Sequence, residues 1–94
     1  MVTSLSMAFR VTVKKKVVKG LGDLPQDVQR KFWVLVKEVR LLGPIRSNWP
    51  NFSSLGKITY HCHLKYDWVA CWRWEKESIE VEVYYAGSRE KAPY

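Results

Sequence analysis

Apolar and polar residues alternate at the start of the chain, with Phe9, Val11 and Val13 set against Arg10, Thr12 and Lys14. A period of two predicts a strand with one buried face. Lys15 to Leu21 then carries Val17, Val18 and Leu21, a spacing that predicts a short helix ended by Gly22. Asp23-Leu24-Pro25 reads as a second helix start. Asp23 or Leu24 takes the capping position and Pro25 the first turn, where its missing N–H costs nothing. Beyond it Val28, Phe32, Leu35, Val36, Val39 and Leu42 recur at helical spacing. Arg30, Lys31, Lys37, Glu38 and Arg40 fill the other side, and Gly43-Pro44 closes the element. The pattern predicts a helix over about residues 25–42.

Ile45 to Gly56 reads as a loop, rich in Ser and Asn, pinned to the core by Trp49, Phe52 and Leu55. Three strands follow: Ile58 to Lys65, Trp68 to Glu75 and Ile79 to Ala86. Tyr66-Asp67 and Lys76-Glu77-Ser78 supply the hairpin turns. The order predicts a single α+β domain over residues 8–94. An N-terminal strand and two helices, the second long, pack on a small twisted antiparallel sheet. Residues 1–7 read as a loose tail, with Met7 as a second candidate start.

Alternation also sorts the strands into faces. Trp68, Ala70, Trp72 and Trp74 belong against the helix, leaving Val69, Cys71 and Arg73 on the other side. Ile79, Val81, Val83 and Tyr85 face the core, and Glu80, Glu82 and Tyr84 face out. Tyr60, Cys62 and Leu64 point inward. A slip by one residue would bury both His61 and His63 and expose Leu64, so burial sets the register. His61, His63, Lys65, Cys71 and Arg73 are thus expected on one open face. The hairpin is expected to bring His61 near Arg73 and His63 near Cys71. Imidazoles titrate near neutral pH and guanidinium binds phosphate bidentately. Such a set suits phosphodiester cleavage by the 2′-OH of RNA, which needs a proton acceptor, a proton donor and cations for the charge that builds on phosphorus.

Composition sharpens this picture. Ninety-four residues, 47% hydrophobic with five Trp, support one packed core. A net charge of +7 favours polyanionic partners through counterion release, although basic residues also keep a small protein in solution. Lys14, Lys15, Lys16, Lys19, Lys65 and Lys91 are candidates for RNA or ribosome binding, and Trp49 for stacking on a base. His61-Cys62-His63 places only two ligands on one face of a strand, whereas structural zinc takes four, so no metal or other cofactor is expected. Cys62 and Cys71 make no disulfide framework, and Cys71 reads as an inert filler. Without a signal-peptide core or a run of transmembrane length, the chain is expected to be cytoplasmic, away from membranes.

The tail Ile79-Glu-Val-Glu-Val-Tyr-Tyr-Ala-Gly87-Ser-Arg89-Glu90-Lys-Ala-Pro-Tyr94 resembles the end of a RelE-family toxin: a last core strand, a Gly-x-Arg-Glu turn, then a Tyr. Tyr60-His-Cys-His-Leu64, with basic alternate positions, and the return strand Trp68-Val-Ala-Cys-Trp-Arg73 fit the same RelE/ParE superfamily, as does Leu24-Pro25 at a helix start. The resemblance spans residues 8–94. It implies the toxin of a bacterial toxin–antitoxin pair, an endoribonuclease (mRNA interferase) that cuts messenger RNA in the ribosomal A site and leaves a 2′,3′-cyclic phosphate. The implied partners are the ribosome, the message and a cognate antitoxin with an acidic or amphipathic segment. Arg89 matches the arginine on the scissile phosphate and Tyr94 the tyrosine near the attacking hydroxyl. His61 and His63 fall where catalytic Lys or His occur, and Arg73 adds a cation. Where many members carry an Arg early in the return strand, this chain has Val69. The alternatives are a ParE-like toxin that inhibits DNA gyrase by binding, and a catalytically inactive binding relic.

Overall fold

The computed structural model describes residues 8–94, so the tail over residues 1–7 and its Met7 start lie outside the described residues. Strand β1 is Arg10–Val13, followed by helices α1, Lys15–Leu21, and α2, Gln26–Leu42. Strands β2, Ser53–Ser54, β3, Thr59–Lys65, β4, Trp68–Trp74, and β5, Glu80–Ser88, complete a five-stranded sheet in the order β1-β5-β4-β3-β2. A 3-10 turn, Arg89–Lys91, ends the fold.

The α+β architecture with two helices on one sheet is the expected one, but the sheet is mixed. β1 runs parallel to β5, Val11 opposite Val81 and Val13 opposite Val83, while every other pair is antiparallel. Parallel neighbours need a long connection between them. Here both helices and the rest of the sheet intervene between β1 and β5 in the chain, and alternation along a strand carries no sign of its partner's direction.

α2 turns Val28, Phe32, Leu35, Val36 and Val39 onto Tyr60, Cys62, Leu64, Ala70, Trp72, Val81 and Val83 of the sheet. Trp72 is fully buried, and its indole N–H donates to the Pro44 carbonyl at 3.0 Å, so the largest core side chain carries no unmet donor. Phe52, Tyr60 and Trp72 stack with ring centroids 6.0–6.4 Å apart, which ties the loop before β3 to the sheet. Gly43, at φ 106°, closes α2 where a Cβ would lie 3.1 Å from the Phe9 ring. Both the backbone angle and the space demand glycine there.

Several local expectations are corrected. Pro25, not Asp23 or Leu24, holds the capping position of α2, and the Gln29 amide donates to the Leu24 carbonyl at 2.8 Å. Leu42, expected in the apolar stripe, is 65% exposed because the helix ends there. Ile79, expected in the core, precedes β5 and is 51% exposed. The loop over residues 45–56 contains β2, whose Ser53 and Ser54 pair with His61 and Tyr60 at the outer edge of the sheet. Two serines carry no alternation, so only pairing reveals the strand.

Candidate active site

β3 and β4 set the site. His61 lies opposite Cys71, His63 opposite Val69, and Thr59 opposite Arg73. The expected partners, Arg73 for His61 and Cys71 for His63, are thus displaced by two residues. A two-residue shift preserves the faces, so the predicted set keeps its side of the sheet while its neighbours change. Val69 and Cys71 are fully buried and form the floor beneath the two imidazoles. Burial pushes the Cys71 thiol up to about 12, which keeps it protonated and inert.

Two irregularities redirect the remaining side chains. The β3–β4 register shifts between His63 and Lys65, and Lys65 pairs with Trp68. Lys65, expected on the open face, instead turns toward α2 and pairs with Asp27, its ammonium 5.4 Å from the Tyr66 ring. The hydrogen bond between them lowers the Asp27 pKa and raises that of Lys65. The β4–β5 register shifts between Cys71 and Trp72, so Val83 faces Trp72 while Tyr85 faces Cys71. Tyr85, expected in the core, therefore lies on the side of His61. Its hydroxyl donates to the Ser88 carbonyl at 2.6 Å. Gly87, expected in a turn, sits in β5 opposite Val69 beneath the Tyr85 ring.

The terminal segment then folds back. Ser88 caps the 3-10 turn by accepting from the Lys91 N–H, and the Arg89 N–H donates to the Asp67 carbonyl at 2.7 Å. Asp67, Ser88, Arg89, Glu90 and Tyr94 line an open cleft of about 580 Å³. The Tyr94 ring lies 4.7 Å from the His61 ring, centroid to centroid, and His63 lies 6.0 Å from His61. Arg89 and Tyr94 face the same cleft. Partial burial raises the phenol pKa, and the guanidinium opposes that rise.

His61 is only 8% exposed, and its Nδ1 lies 3.2 Å from the Ser53 hydroxyl. Burial lowers its pKa first, the hydrogen bond to Ser53 opposes this, and His63 and Arg89 add repulsion. The imidazole is therefore held neutral, as a proton acceptor requires. His63 is less buried, and its Nδ1 donates to the Tyr66 carbonyl at 2.6 Å.

Of the expected site residues, His61, His63, Arg89 and Tyr94 come together. Arg73 shares their face but sits one pleat repeat, about 7 Å, further along β4 than the partner of His61. There it pairs with Glu82 at 2.5 Å and stacks 4.8 Å from Tyr84. Trp49 stands on the helix side, its indole donating to Glu38 at 2.8 Å. Glu38 also accepts from Asn48 and Arg46, and these bonds, led by Trp49, lower its pKa. Lys14, Lys15, Lys16, Lys19 and Lys91 are all exposed, and Lys16 lines a groove with Tyr84 and Tyr85. Sequence reasoning missed Ser53, Tyr85 and Asp67 as parts of this site. The hairpin turn gave a weak pointer to Asp67, and nothing local marked the other two.

Among the described residues no group of three His, Cys, Asp or Glu side chains is placed to hold a metal ion, and no helix is long and apolar enough to cross a membrane. No protein-family model matches the sequence, and no curated protein matches it. Solved structures match in shape. A chain of the archaeal RelE–RelB complex from Pyrococcus horikoshii OT3 aligns with a TM-score of 0.71 at 20% identity, covering 92% of this chain and 100% of its own. The YoeB dimer from Staphylococcus aureus aligns at 0.65 with 8% identity, covering 85% and 95%. The YoeB–YefM complex from the same organism aligns at 0.64 with 8% identity, covering 84% and 94%. At such low identities the likeness concerns the backbone, and it establishes that this chain has the fold of the RelE-like toxin structures.

Proposed function

We propose that this chain is the toxin of a toxin–antitoxin pair and cuts messenger RNA on the ribosome, in the cytoplasm, by metal-independent attack of the ribose 2′-OH. One fold hosts several activities, so the case rests on the site. The observation that carries it is the meeting of three elements: Arg89 of the 3-10 turn and Tyr94 line one cleft, and the His61 ring of β3 lies 4.7 Å from the Tyr94 ring. His61, held neutral, takes the proton from the 2′-OH. The oxygen attacks phosphorus while Arg89 binds the phosphate oxygens and offsets their growing charge. The 5′ oxygen leaves with a proton from His63, and the product is a 2′,3′-cyclic phosphate. Tyr94 positions the base and ribose beside His61. The net charge of +7 draws in both RNA and an antitoxin with an acidic or amphipathic segment. The RelE–RelB and YoeB–YefM complexes, which share this fold, support such a pairing.

The test adds the purified chain to ribosomes programmed with a defined message. Codon-phased cuts ending in cyclic phosphate, abolished by His61→Gln and by Arg89→Ala, are expected. An intact message beside inhibited gyrase supercoiling would instead establish a ParE-like binding toxin and end the nuclease reading.

A further inference from the structure

Lys65 pairs with Trp68, so Tyr66 and Asp67 alone close the β3–β4 hairpin. So short a loop takes a left-handed residue to match the twist of its strands. Tyr66 fills that place at φ 50°, without the conformational freedom of glycine. Its ring is 80% exposed, with the Lys65 ammonium 5.4 Å from its centroid, so core packing does not account for the conformation. The turn does present two successive carbonyls to site residues. The Tyr66 carbonyl lies 2.6 Å from Nδ1 of His63, and the Asp67 carbonyl accepts the Arg89 N–H at 2.7 Å. A carbonyl oxygen has no proton to give, so a contact this short requires the proton on Nδ1. We propose that Tyr66 is a positioning residue: its left-handed backbone aims the carbonyl that holds His63 protonated on Nδ1, which leaves Nε2 to deliver the proton to the departing 5′ oxygen. Through Asp67 the same turn fixes the backbone of Arg89.

The proposal rests on the reading of His63 as proton donor, and it adds to that reading the group that orients the ring. The imidazolium carries both protons. As the bond from phosphorus to the 5′ oxygen breaks, its electron pair stays on that oxygen and takes up the Nε2 proton. The ring is left neutral with its remaining proton on Nδ1, already bonded to the Tyr66 carbonyl, so the transfer needs no rearrangement of the ring. The opposite tautomer would set a bare nitrogen against a carbonyl oxygen, two acceptors face to face. His63 is only partly buried, and in water a free histidine prefers the Nε2–H form. The Nδ1–H form is therefore the signature of the turn rather than of the solvent.

The experiment records nitrogen-15 histidine spectra of the full chain, wild type, Tyr66→Gly and Tyr66→Pro, above the titration of His63. Cleavage of a ribosome-bound message is measured on the same three proteins. Wild-type His63 is expected as the Nδ1–H form. Glycine accepts a positive φ, so Tyr66→Gly should keep that form. Proline is locked near a φ of about −65° and must turn the carbonyl away. Loss of that bond should shift the tautomer ratio roughly fivefold toward Nε2–H. Tyr66→Pro should also lose about tenfold or more in kcat with KM nearly unchanged, as a misdirected proton donor implies. A wild-type His63 protonated on Nε2 overturns the proposal, and that measurement needs no variant to fold. A folded Tyr66→Pro chain that keeps Nδ1–H overturns it too, as does a Tyr66→Gly chain that loses as much cleavage as Tyr66→Pro. Because the spectra need no substrate, a wild-type chain that cuts no message ends the nuclease reading while the tautomer is still decided.

Discussion

Gly87→Ala puts the packing beneath the active-site segment to a direct test. Gly87 does not need a positive φ; its constraint is space. A Cβ built there would lie 2.9 Å from the Tyr85 hydroxyl oxygen and 3.1 Å from its ring carbon Cζ. The ring is rigid, so the whole side chain must tilt away and break the 2.6 Å bond from its hydroxyl to the Ser88 carbonyl. Losing that bond costs about 1 kcal/mol. Overpacking adds about 1–3 kcal/mol. Because Tyr85 is only partly buried it can swing outward, which favours the lower end, about 2 kcal/mol in all. Ser88 caps the turn that carries Arg89, so cleavage should fall together with stability. Urea unfolding followed by tryptophan fluorescence gives the first quantity and the ribosome assay the second. In a Tyr85→Ala background the added methyl should cost at least 1 kcal/mol less, a coupling typical of touching residues. A Gly87→Ala loss below about 0.5 kcal/mol, or a loss unchanged in that background, would refute the steric account.

The lowered pKa of His61 has two consequences with a definite sign. The acid limb of kcat/KM should lie below the ordinary histidine value of about 6.5, and a limb at or above it would contradict a proton acceptor held neutral by burial. For folding, the unfolded imidazole binds a proton first as pH falls. The stability from a neutral His61 is thus full above about pH 6.5 and lost as pH drops toward the folded pKa; a His61→Gln variant should lack this component in urea titrations across that range. Arg89 is exposed, so Arg89→Ala should leave the unfolding midpoint unchanged while slowing single-turnover cleavage about 100-fold or more. Arg89→Lys should restore only part, since an ammonium lacks the bidentate fork. Lys65→Ala should leave the cleavage rate nearly unchanged, because its ammonium is engaged with Asp27 on the helix side; a loss resembling that of Arg89→Ala would return Lys65 to the site.

Much of the fold was legible because burial imposes it locally. α1 over Lys15–Leu21 and the bulk of α2 follow from their apolar spacing, and the three strands of the meander from their alternation, each within a residue or two of the observed ends. The clustering of His61, His63, Arg89 and Tyr94 was legible for a different reason. The histidines fell on the outward face of β3 by alternation, whereas Arg89 and Tyr94 were placed only through the resemblance of the tail to RelE-family sequences. Periodicity alone gives no reason for residue 94 to return to residue 61.

What was not legible traces to pairing. A face assignment assumes an unbroken period of two, and a bulge adds one residue to one strand, turning everything beyond it over. The bulge near Leu64 keeps that leucine in the core and sends Lys65 to Asp27. The bulge near Tyr84 brings Tyr85 beside Cys71. Each therefore exchanges a residue across the sheet. One removes a lysine from the histidine face, and the other supplies the ring whose hydroxyl anchors Ser88 and so aims Arg89. The site depends on breaks in the same alternation that builds the sheet around it. Deleting Tyr84 would restore an uninterrupted period through β5. Val83 and Tyr85, then consecutive, would still face Trp72 and Cys71. Arg89 should therefore stay at the cleft, and cleavage should survive in a protein that loses only the contact of Tyr84 with Arg73. Cleavage lost while the fold persists would refute this register.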